Sequence, residues 1–244
     1  TFILYSNKQK MTISEAFETV YNVPLSCDSC IESVTKEIKK NEGINEVKCD
    51  LQKQTVSVLG TTAPSKIIKS IQETGKDAII RGTGSSNLAA VCILEDFNKS
   101  IKDFNSIRDV YGLCRIIKIK ENESFIDLTL TGMKPSIPYF ASFMKSGDLS
   151  NGPLNTGDYL YKLPKMISDL NGKCQQFISI PIKMDELIGR SLVVSIDENK
   201  IFMDSMAGVI ARSAGAWEND KYVCSCTGKN IWQERIDAKE RGIN

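Results

Sequence analysis

Two pairs of closely spaced cysteines are the residues of this sequence best suited to chemistry. Cys27 and Cys30 stand between a strand-like segment and a helix-like segment, and Cys224 and Cys226 stand near the end of the chain. Residues three apart lie on one side of a helical turn, and the free N–H groups of a helix N-terminus stabilise thiolates. Two thiolates in such a position suit a soft cation of low coordination number, above all Cu(I), whereas zinc prefers four tetrahedral ligands.

Histidine, the commonest ligand of zinc and Cu(II), is absent from all 244 residues, so soft-metal chemistry has to use sulfur. Its absence also excludes Ser-His triads. The net charge of +1, from 31 basic and 30 acidic residues, gives no basic surplus for nucleic acid, and no window approaches the roughly 18 apolar residues of a membrane span. Eight cysteines are too few for a disulfide scaffold, and a reducing compartment would keep the two pairs available, so we expect a cytoplasmic protein.

An α/β unit over residues 15–82 is expected to position the first cysteine pair. Alternating apolar residues predict its strands, and Ile31, Val34 and Ile38 mark one face of its first helix. Pro64 opens a second helix. The predicted order is strand, helix, strand, strand, helix, strand, which fits an open-faced ferredoxin-like sandwich. The elements are expected at 17–23, 28–40, 44–51, 55–59, 64–75 and 76–80.

The remaining chain divides into a lead, a linker, an all-β unit and a tail. Residues 1–14 are expected to be a disordered lead, and 83–87 have the Gly and Ser composition of a linker. Short β-rich runs separated by turn residues over 88–219 predict an all-β sandwich or barrel. The tail, 220–244, holds the second cysteine pair and a short amphipathic helix from about 230 to 240. The predicted fold class is therefore α+β.

Lys76 and the second cysteine pair each allow two interpretations. A Cu(I) dithiolate carries a net charge of −1, which Lys76, at the start of the last predicted strand, could offset; otherwise Lys76 is a solvated lysine at a sheet edge. In an extended chain, residues two apart point to one side at a separation of about 6–7 Å. Cys224 and Cys226 can therefore bind Cu(I) jointly, or form a small strained disulfide that is more oxidising than a relaxed one.

The segment Val23-Pro-Leu-Ser-Cys-Asp-Ser-Cys30 resembles the MxCxxC loop of heavy-metal-associated domains, and the predicted order of elements agrees with that family. Gly75-Lys-Asp-Ala78 resembles the loop that lies near the metal in the family. Leu25 stands where the family usually has a methionine that packs under the loop, so leucine can replace it. The resemblance implies copper binding by Cys27 and Cys30. The rival interpretations are a thioredoxin-like redox site, for which the order of elements is wrong, and two incidental surface cysteines.

Three segments of the β-rich unit resemble copper/zinc superoxide dismutase, whose fold is a Greek-key barrel. The enzyme's copper-binding histidines match Ser142, Met144 and Ser195, so the resemblance implies no dismutase activity. It implies a surface instead, because the enzyme pairs with itself through an isologous patch that a mimic can use to dock on the enzyme. The matching residues are otherwise ordinary core and turn positions, and one of Val209 and Ile210 is expected in the core. The segments are 142–148, 189–194 and 208–211, and the docking residues are Ile188, Gly189, Arg190, Gly208, Val209 and Ile210.

Residues 15–240 as a whole resemble the copper chaperones for superoxide dismutase, and 207–219 together with the terminal cysteine pair resemble the fungal form. The resemblance implies a chaperone rather than an enzyme. It implies that Cu(I) is acquired at the first pair, that the β-rich unit docks on copper/zinc superoxide dismutase as a heterodimer, and that the terminal pair promotes copper insertion and disulfide formation. The sequence leaves a homodimer open, and the family resemblance adds the mitochondrial intermembrane space as a second location.

Two other functions stand beside that of the carrier. The chain could be mainly a thiol oxidase of superoxide dismutase with copper incidental, or a metal carrier that serves a membrane pump; the additional enzyme-like unit disfavours the pump. The cysteines outside the two pairs receive no chemical role. Cys49, Cys92 and Cys114 lie in strand patterns and resemble small hydrophobic residues, whereas Cys174 lies in a polar stretch and could be exposed.

Overall fold

The computed structural model describes residues 15–84, 87–97, 110–218 and 228–240. Its first part, here called the first unit, has the predicted βαββαβ order, and its four strands form one antiparallel sheet in the order β2-β3-β1-β4. The α+β class and the ferredoxin-like arrangement are confirmed. The elements are β1 (Phe17–Asn22), α1 (Asp28–Ile38), β2 (Ile44–Asp50), β3 (Thr55–Gly60), α2 (Pro64–Glu73) and β4 (Ile79–Thr83).

The two helices of the first unit bury the faces that their apolar spacing predicts. Val34 and Ile38 of α1 and Ile67 and Ile71 of α2 are each at most 2% exposed. They pack with strand residues and with the segment that precedes α1, so the N-terminus of α1 is fixed by the core. The other buried members of this cluster are Tyr21, Val23, Leu25, Val56, Val58 and Ala78.

The last strand of the first unit begins later than the sequence predicts. β4 starts at Ile79 instead of residue 76, because the chain first turns after α2. Gly75 takes the left-handed conformation, with φ +80°, and the Asp77 carboxylate accepts the Ala78 N–H at 2.9 Å. Lys76 consequently lies in a loop, here called the Lys76 loop (residues 75–78), and not on a sheet edge.

The second part, here called the β unit, is an antiparallel sheet that curls around one large apolar core. Along its path the strands follow the order β10-β8-β13-β14-β5-β6-β7-β12, while β11 pairs with β8 and β15 with β5. β11 also lies against β12, so the two ends of the sheet approach each other. The elements are β5 (Ala89–Asp96), β6 (Val110–Lys120), β7 (Glu123–Leu130), β8 (Pro138–Met144), β9 (Ser150–Pro153), β10 (Tyr159–Lys162), β11 (Met166–Ile167), β12 (Cys174–Ile180), α3 (Met184–Leu187), β13 (Ser191–Ser195), β14 (Met206–Val209) and β15 (Ala211–Arg212).

The exposure considered for Cys174 is wrong. This residue begins β12, pairs with Leu130 of β7 and is only 2% exposed, since its side chain faces the core. The polar residues Gln175 and Gln176 that follow Cys174 make this strand difficult to predict from the sequence. Cys92 and Cys114 are fully buried and directly opposite each other on β5 and β6, as expected of small hydrophobic residues.

Backbone hydrogen bonds hold the segment that joins the two units. Within the stretch predicted as a linker, the Thr83 N–H donates to the Ala214 carbonyl at 3.4 Å and the Gly84 N–H to the Glu18 carbonyl at 2.7 Å. The Gly84 carbonyl accepts the Ala216 N–H at 2.8 Å. Thr83 and Gly84 are therefore hydrogen-bonded to residues of both units.

A buried carboxylate of the β unit caps a helix of the first unit. Ala63, the N-cap residue of α2, has no side-chain acceptor, and Asp127 of β7 replaces it by accepting the Ser65 N–H at 2.9 Å and the Ser65 hydroxyl at 2.8 Å. Asp127 is 0% exposed, and the Arg115 guanidinium lies 3.6 Å from it. The aligned peptide dipoles of α2 and the cation of Arg115 both stabilise the buried charge.

Asp127→Ala is expected to lower the free energy of unfolding by about 2–4 kcal/mol, because it removes a helix cap and leaves the Arg115 charge buried without its carboxylate. Asp158→Ala serves as the control, since Asp158 is exposed and its pair with Lys145 spans 3.2 Å at the surface. Urea unfolding of both variants measures the difference. Equal small effects of the two substitutions would contradict the assignment of Asp127.

Candidate metal centre

Cys27 starts the first helix with its backbone and leaves its side chain outside the cap. Its φ of −164° and ψ of 171° are extended, and its carbonyl accepts the N–H groups of Cys30 at 3.0 Å and Ile31 at 3.3 Å. The Cys27 thiol makes no capping hydrogen bond. As a result the two sulfurs lie 3.3 Å apart at the helix N-terminus, with Cys27 exposed and Cys30 partly buried.

Contacts with the core and with Gln54 hold the loop that precedes Cys27. Leu25 is 1% exposed in the core, where it fills the place for which the resemblance predicts an apolar side chain. The Gln54 side-chain amide donates to the Leu25 carbonyl at 2.5 Å, and the Gln54 carbonyl accepts the Val23 N–H at 2.9 Å. These contacts fix the position of the loop relative to the sheet, so the protein alone positions the sulfurs.

Two serines, which the sequence analysis did not select, complete the surroundings of the sulfurs. The Ser26 hydroxyl lies 3.3 Å from the Cys30 sulfur, and the Ser29 hydroxyl lies 3.0 Å from the Cys27 sulfur. Hydrogen bonds from Ser26, followed by those from Cys27 and Lys76, lower the pKa of Cys30 to about 6. The only sequence signal for the serines is their place directly beside the cysteines.

Lys76 lies in a loop and not on the predicted strand, and it is one of the groups that lower the pKa of the Cys30 thiol. A cation at this point favours a thiolate and would also favour a metal complex of net negative charge. The charge-compensating role of Lys76 stays a prediction.

The number of donors at this site is small. In the described ranges, no three histidine, cysteine, aspartate or glutamate side chains are grouped so that they could hold a metal ion together. The Cys27 and Cys30 sulfurs are therefore a two-donor arrangement, which fits a soft ion of low coordination number better than tetrahedral zinc.

The second cysteine pair lies outside the described residues, so Cys224 and Cys226 stay a prediction. The helix predicted after them is present as α4 (Ile231–Glu240). Asn230 caps it by accepting the Trp232 and Gln233 N–H groups at 3.0 and 2.9 Å. The expectation that this helix is amphipathic is wrong, because its polar and apolar residues are spread around the axis.

The predicted docking residues come together where β13 begins and β14 ends. The Gly189 N–H donates to the Ile210 carbonyl, and the Ile210 N–H donates to the Arg190 carbonyl, both at 2.8 Å. Ile210 is 1% exposed and belongs to the core, whereas Val209 is 42% exposed, as their alternation predicts. Gly208 has no room for a side chain, since an added Cβ would lie 1.8 Å from the Ile93 carbonyl oxygen.

Ile93 of β5 extends this surface and was missed in the sequence. β14 and β15 pair with β5 in one register, Ala207 opposite Glu95 and Ala211 opposite Val91, which places Val209 opposite Ile93. Ile93 is 50% exposed, so the two residues form an exposed apolar pair. The available signal was the alternation along β5, where Ile93 lies between two residues of the core. Ile188 is partly buried, and Arg190 donates to the carbonyls of Glu186 and Lys145 at 2.6 and 2.5 Å.

The positions that match the dismutase histidines have structural contacts instead. Ser142 and Ser195 are 4% and 5% exposed, and the Ser195 hydroxyl donates to the Lys200 carbonyl at 2.7 Å. Met144 is fully buried against Val193 and Ala207. The β unit thus retains a folded sheet without the imidazole donors that a redox copper site of that type needs.

A paired-thiol loop on a βαββαβ unit, joined to a histidine-free antiparallel sheet, defines a metal-binding protein of the heavy-metal-associated class. The sequence profile of the family "Heavy-metal-associated domain" matches residues 20–77. The "Superoxide dismutase 1 copper chaperone" of Debaryomyces hansenii is 42% identical, over 95% of this chain and 99% of its own length. That of Saccharomyces cerevisiae is 40% identical, over 96% of this chain and its full length.

A plant relative shows the same similarity at lower identity. The "Copper chaperone for superoxide dismutase, chloroplastic/cytosolic" of Arabidopsis thaliana is 30% identical, over 88% of this chain and 69% of its own length. The chain belongs to the family of copper chaperones for superoxide dismutase, and it is a metallochaperone and not an enzyme. Among the described residues, every helix is too short or too polar to cross a membrane.

Alkylation of Cys30 by iodoacetamide in the reduced, metal-free protein is expected to be half-maximal near pH 6, since the thiolate is the reactive form and forms above a pKa of about 6. Ser26→Ala and Lys76→Met should each move this midpoint to higher pH. Mass spectrometry of the Cys30 peptide measures the extent of reaction. Cys49, whose pKa burial raises, serves as the internal control and should react only at higher pH. A Cys30 midpoint as high as that of Cys49 would contradict the assignment.

Proposed function

We propose that this chain carries Cu(I) between the thiolates of Cys27 and Cys30 and delivers it to copper/zinc superoxide dismutase. The observation that supports this most directly is the pair of sulfurs 3.3 Å apart at a helix N-terminus, without a third donor grouped beside them among the described residues. Cu(I) is a soft ion that accepts two thiolate ligands. The copper is the cargo of the protein, so a partly exposed site from which ligands can exchange is an advantage.

The electrostatics of the loop support a monovalent ion. One Cu⁺ with two thiolates leaves a net charge of −1, which the Lys76 ammonium beside Cys30 offsets. The hydroxyl groups of Ser26 and Ser29, each close to one sulfur, donate hydrogen bonds to the charged sulfurs. A divalent ion would leave the dithiolate neutral and give Lys76 no charge to compensate.

The Cu(I) affinity of Cys27→Ser/Cys30→Ser is expected to fall by at least about 100-fold, and that of Lys76→Met by about 10-fold, because Lys76 would stabilise the charge of the complex without binding the metal. Both are made in the Cys224→Ser/Cys226→Ser background, which removes the other candidate ligands. Competition with a Cu(I) chelator under anaerobic conditions measures the affinity. Cys49→Ser in the same background is the matched control, because Cys49 is a partly buried thiol whose sulfur lies 3.6 Å from the Thr35 hydroxyl.

The same background separates the carrier from a thiol oxidase. A carrier without its terminal cysteines still binds about one Cu(I) in its first unit and still transfers it. If copper is incidental to an oxidase, the loss of Cys27 and Cys30 from a chain that keeps Cys224 and Cys226 leaves client disulfide formation unchanged. Full retention of Cu(I) affinity without Cys27 and Cys30 would refute the proposed site.

We also propose that the β unit docks on a superoxide dismutase subunit, as a heterodimer, through the surface around Val209. The support is the exposed apolar pair of Val209 and Ile93 beside the β13–β14 junction, together with the names of the relatives, which state superoxide dismutase as the client. A few well-packed residues that are fully shielded from water near the centre of an interface contribute most of its affinity. The same isologous surface also allows a homodimer of this chain.

Val209→Asp is expected to weaken the complex with metal-free superoxide dismutase by about 10-fold or more, because a charge would be buried without a partner. The Cu(I) affinity of the first unit should not change. Leu170→Asp is the control, since Leu170 is the most exposed large apolar side chain among the described residues, at 84%, and lies in the turn before β12, several strands away. Sedimentation velocity measures the complex, and equal affinities of the two variants would exclude the proposed surface.

For the terminal pair we propose thiol–disulfide exchange with the client. A client thiolate attacks the Cys224–Cys226 disulfide and forms a mixed disulfide, and a second client thiolate then displaces the chaperone sulfur. The client gains one disulfide, and Cys224 and Cys226 return to thiols, so the electrons balance. We place this exchange in the cytosol, and by family resemblance also in the mitochondrial intermembrane space; the name of the Arabidopsis relative includes "cytosolic".

A further inference from the structure

The helix of the tail contacts the first unit at the carboxylate of Asp77. Asp77 Oδ2 lies 2.7 Å from Lys239 Nζ and 3.4 Å from Arg235 Nε. Arg235 and Lys239 are four residues apart, so they lie on one side of α4. The other oxygen of Asp77 accepts the Ala78 N–H at 2.9 Å, which holds the carboxylate in place within the Lys76 loop.

This contact brings the tail to the loop that also serves the metal centre. Lys76 is one of the groups that lower the pKa of Cys30, and its neighbour Asp77 binds α4. α4 begins five residues after Cys226, and an extended chain of that length spans at most about 17 Å. A helix fixed at Asp77 therefore limits how far the second cysteine pair can move from the first unit.

The ion pairs between α4 and Asp77 can be broken. The apolar residues of α4 do not form one face, and the contacts of α4 with Asp77 are ion pairs, which near solvent are weak and screened by salt. The side chains of Arg235, Asp77 and Lys239 are 13%, 22% and 42% exposed, so water reaches part of the cluster. The pair between Lys229 and Asp237, at 2.5 Å, stabilises the tail internally and does not involve the first unit.

We propose that Asp77 is a docking site for the basic side of α4, which holds the C-terminal segment against the first unit in the free protein and releases it for work on a client. The docking itself is independent of the proposed function. Its consequence for the client rests on the proposed exchange by Cys224 and Cys226. A docked tail is restrained beside the Lys76 loop, whereas a released tail can extend to another molecule.

Hydrogen exchange of the amides of 231–240, followed by mass spectrometry on the reduced full chain, tests the docking. Asp77→Asn is expected to accelerate this exchange by at least about 10-fold at low salt, since it removes the acceptor of both cations. The unchanged chain should show the same acceleration in 1 M NaCl, where the Debye length is about 3 Å. Asp50→Asn is the matched control, because Asp50 is a partly exposed aspartate of the first unit that pairs with Lys53.

Reversing the charges on the two sides of the contact makes the test specific. Asp77→Lys alone and Arg235→Glu/Lys239→Glu alone should each remove the protection of α4, and the three substitutions together should restore it. Asp77 lies outside α4, so its substitution does not change the intrinsic stability of that helix. Protection that survives either single reversal, or that the combination fails to restore, would overturn the docking.

The consequence for the client has its own measurement. With metal-free superoxide dismutase, Asp77→Asn is expected to raise the initial rate of client disulfide formation severalfold, while Asp50→Asn leaves it unchanged. An unchanged rate for Asp77→Asn, with α4 shown to be released, would overturn the restraining role. Failure of the proposed function is distinguishable, because then the unchanged chain also forms no client disulfide.

Discussion

The N-terminus of α1 is the constraint on which the metal centre depends. The N–H groups in the first turn of a helix need hydrogen-bond acceptors. Cys27, whose backbone is extended, supplies an acceptor with its backbone alone. Because its side chain takes no part in the cap, the thiol can face Cys30, three residues along the same turn. The serine hydroxyls and the Lys76 ammonium then stabilise charge on the sulfurs. The helix therefore determines the site, and the loop contacts adjust its charge.

The β unit shows how a sheet can be kept while a metal site is lost. Its topology depends on alternating apolar residues, and these do not require histidine at 142, 144 or 195. Buried serine and methionine side chains at those positions pack and hydrogen-bond without a metal. What stays available is the exterior of the sheet, where Val209 and Ile93 stand opposite each other. A fold of this kind is suited to recognising a partner and unsuited to redox chemistry of its own.

Local patterns predicted much of the first unit, and contacts between distant residues account for the differences. The spacing of Val34, Ile38, Ile67 and Ile71 sets the two helix faces, and both are confirmed. The late start of β4 depends on a turn that Asp77 stabilises through its own side chain, which no apolar pattern reveals. The sequence did not allow the cap of α2 to be predicted, because its acceptor, Asp127, lies 62 residues away from Ser65 in another unit. The sequence indicates that Lys76 can lie near the cysteines, but it places Lys76 on a strand and not in the turn that precedes that strand.

Asp127 links the β unit to the first unit, and Asp77 links the first unit to α4. The two carboxylates differ in burial and therefore in role. Asp127 is fully buried, and its charge can exist there only with the Ser65 hydrogen bonds and Arg115 in place. Separating the first unit from the β unit would leave that charge unsatisfied, which opposes their separation. Asp77 is partly exposed, and water can replace α4 around it at little cost. The contact of α4 with Asp77 is therefore easier to break than the contact of α2 with Asp127.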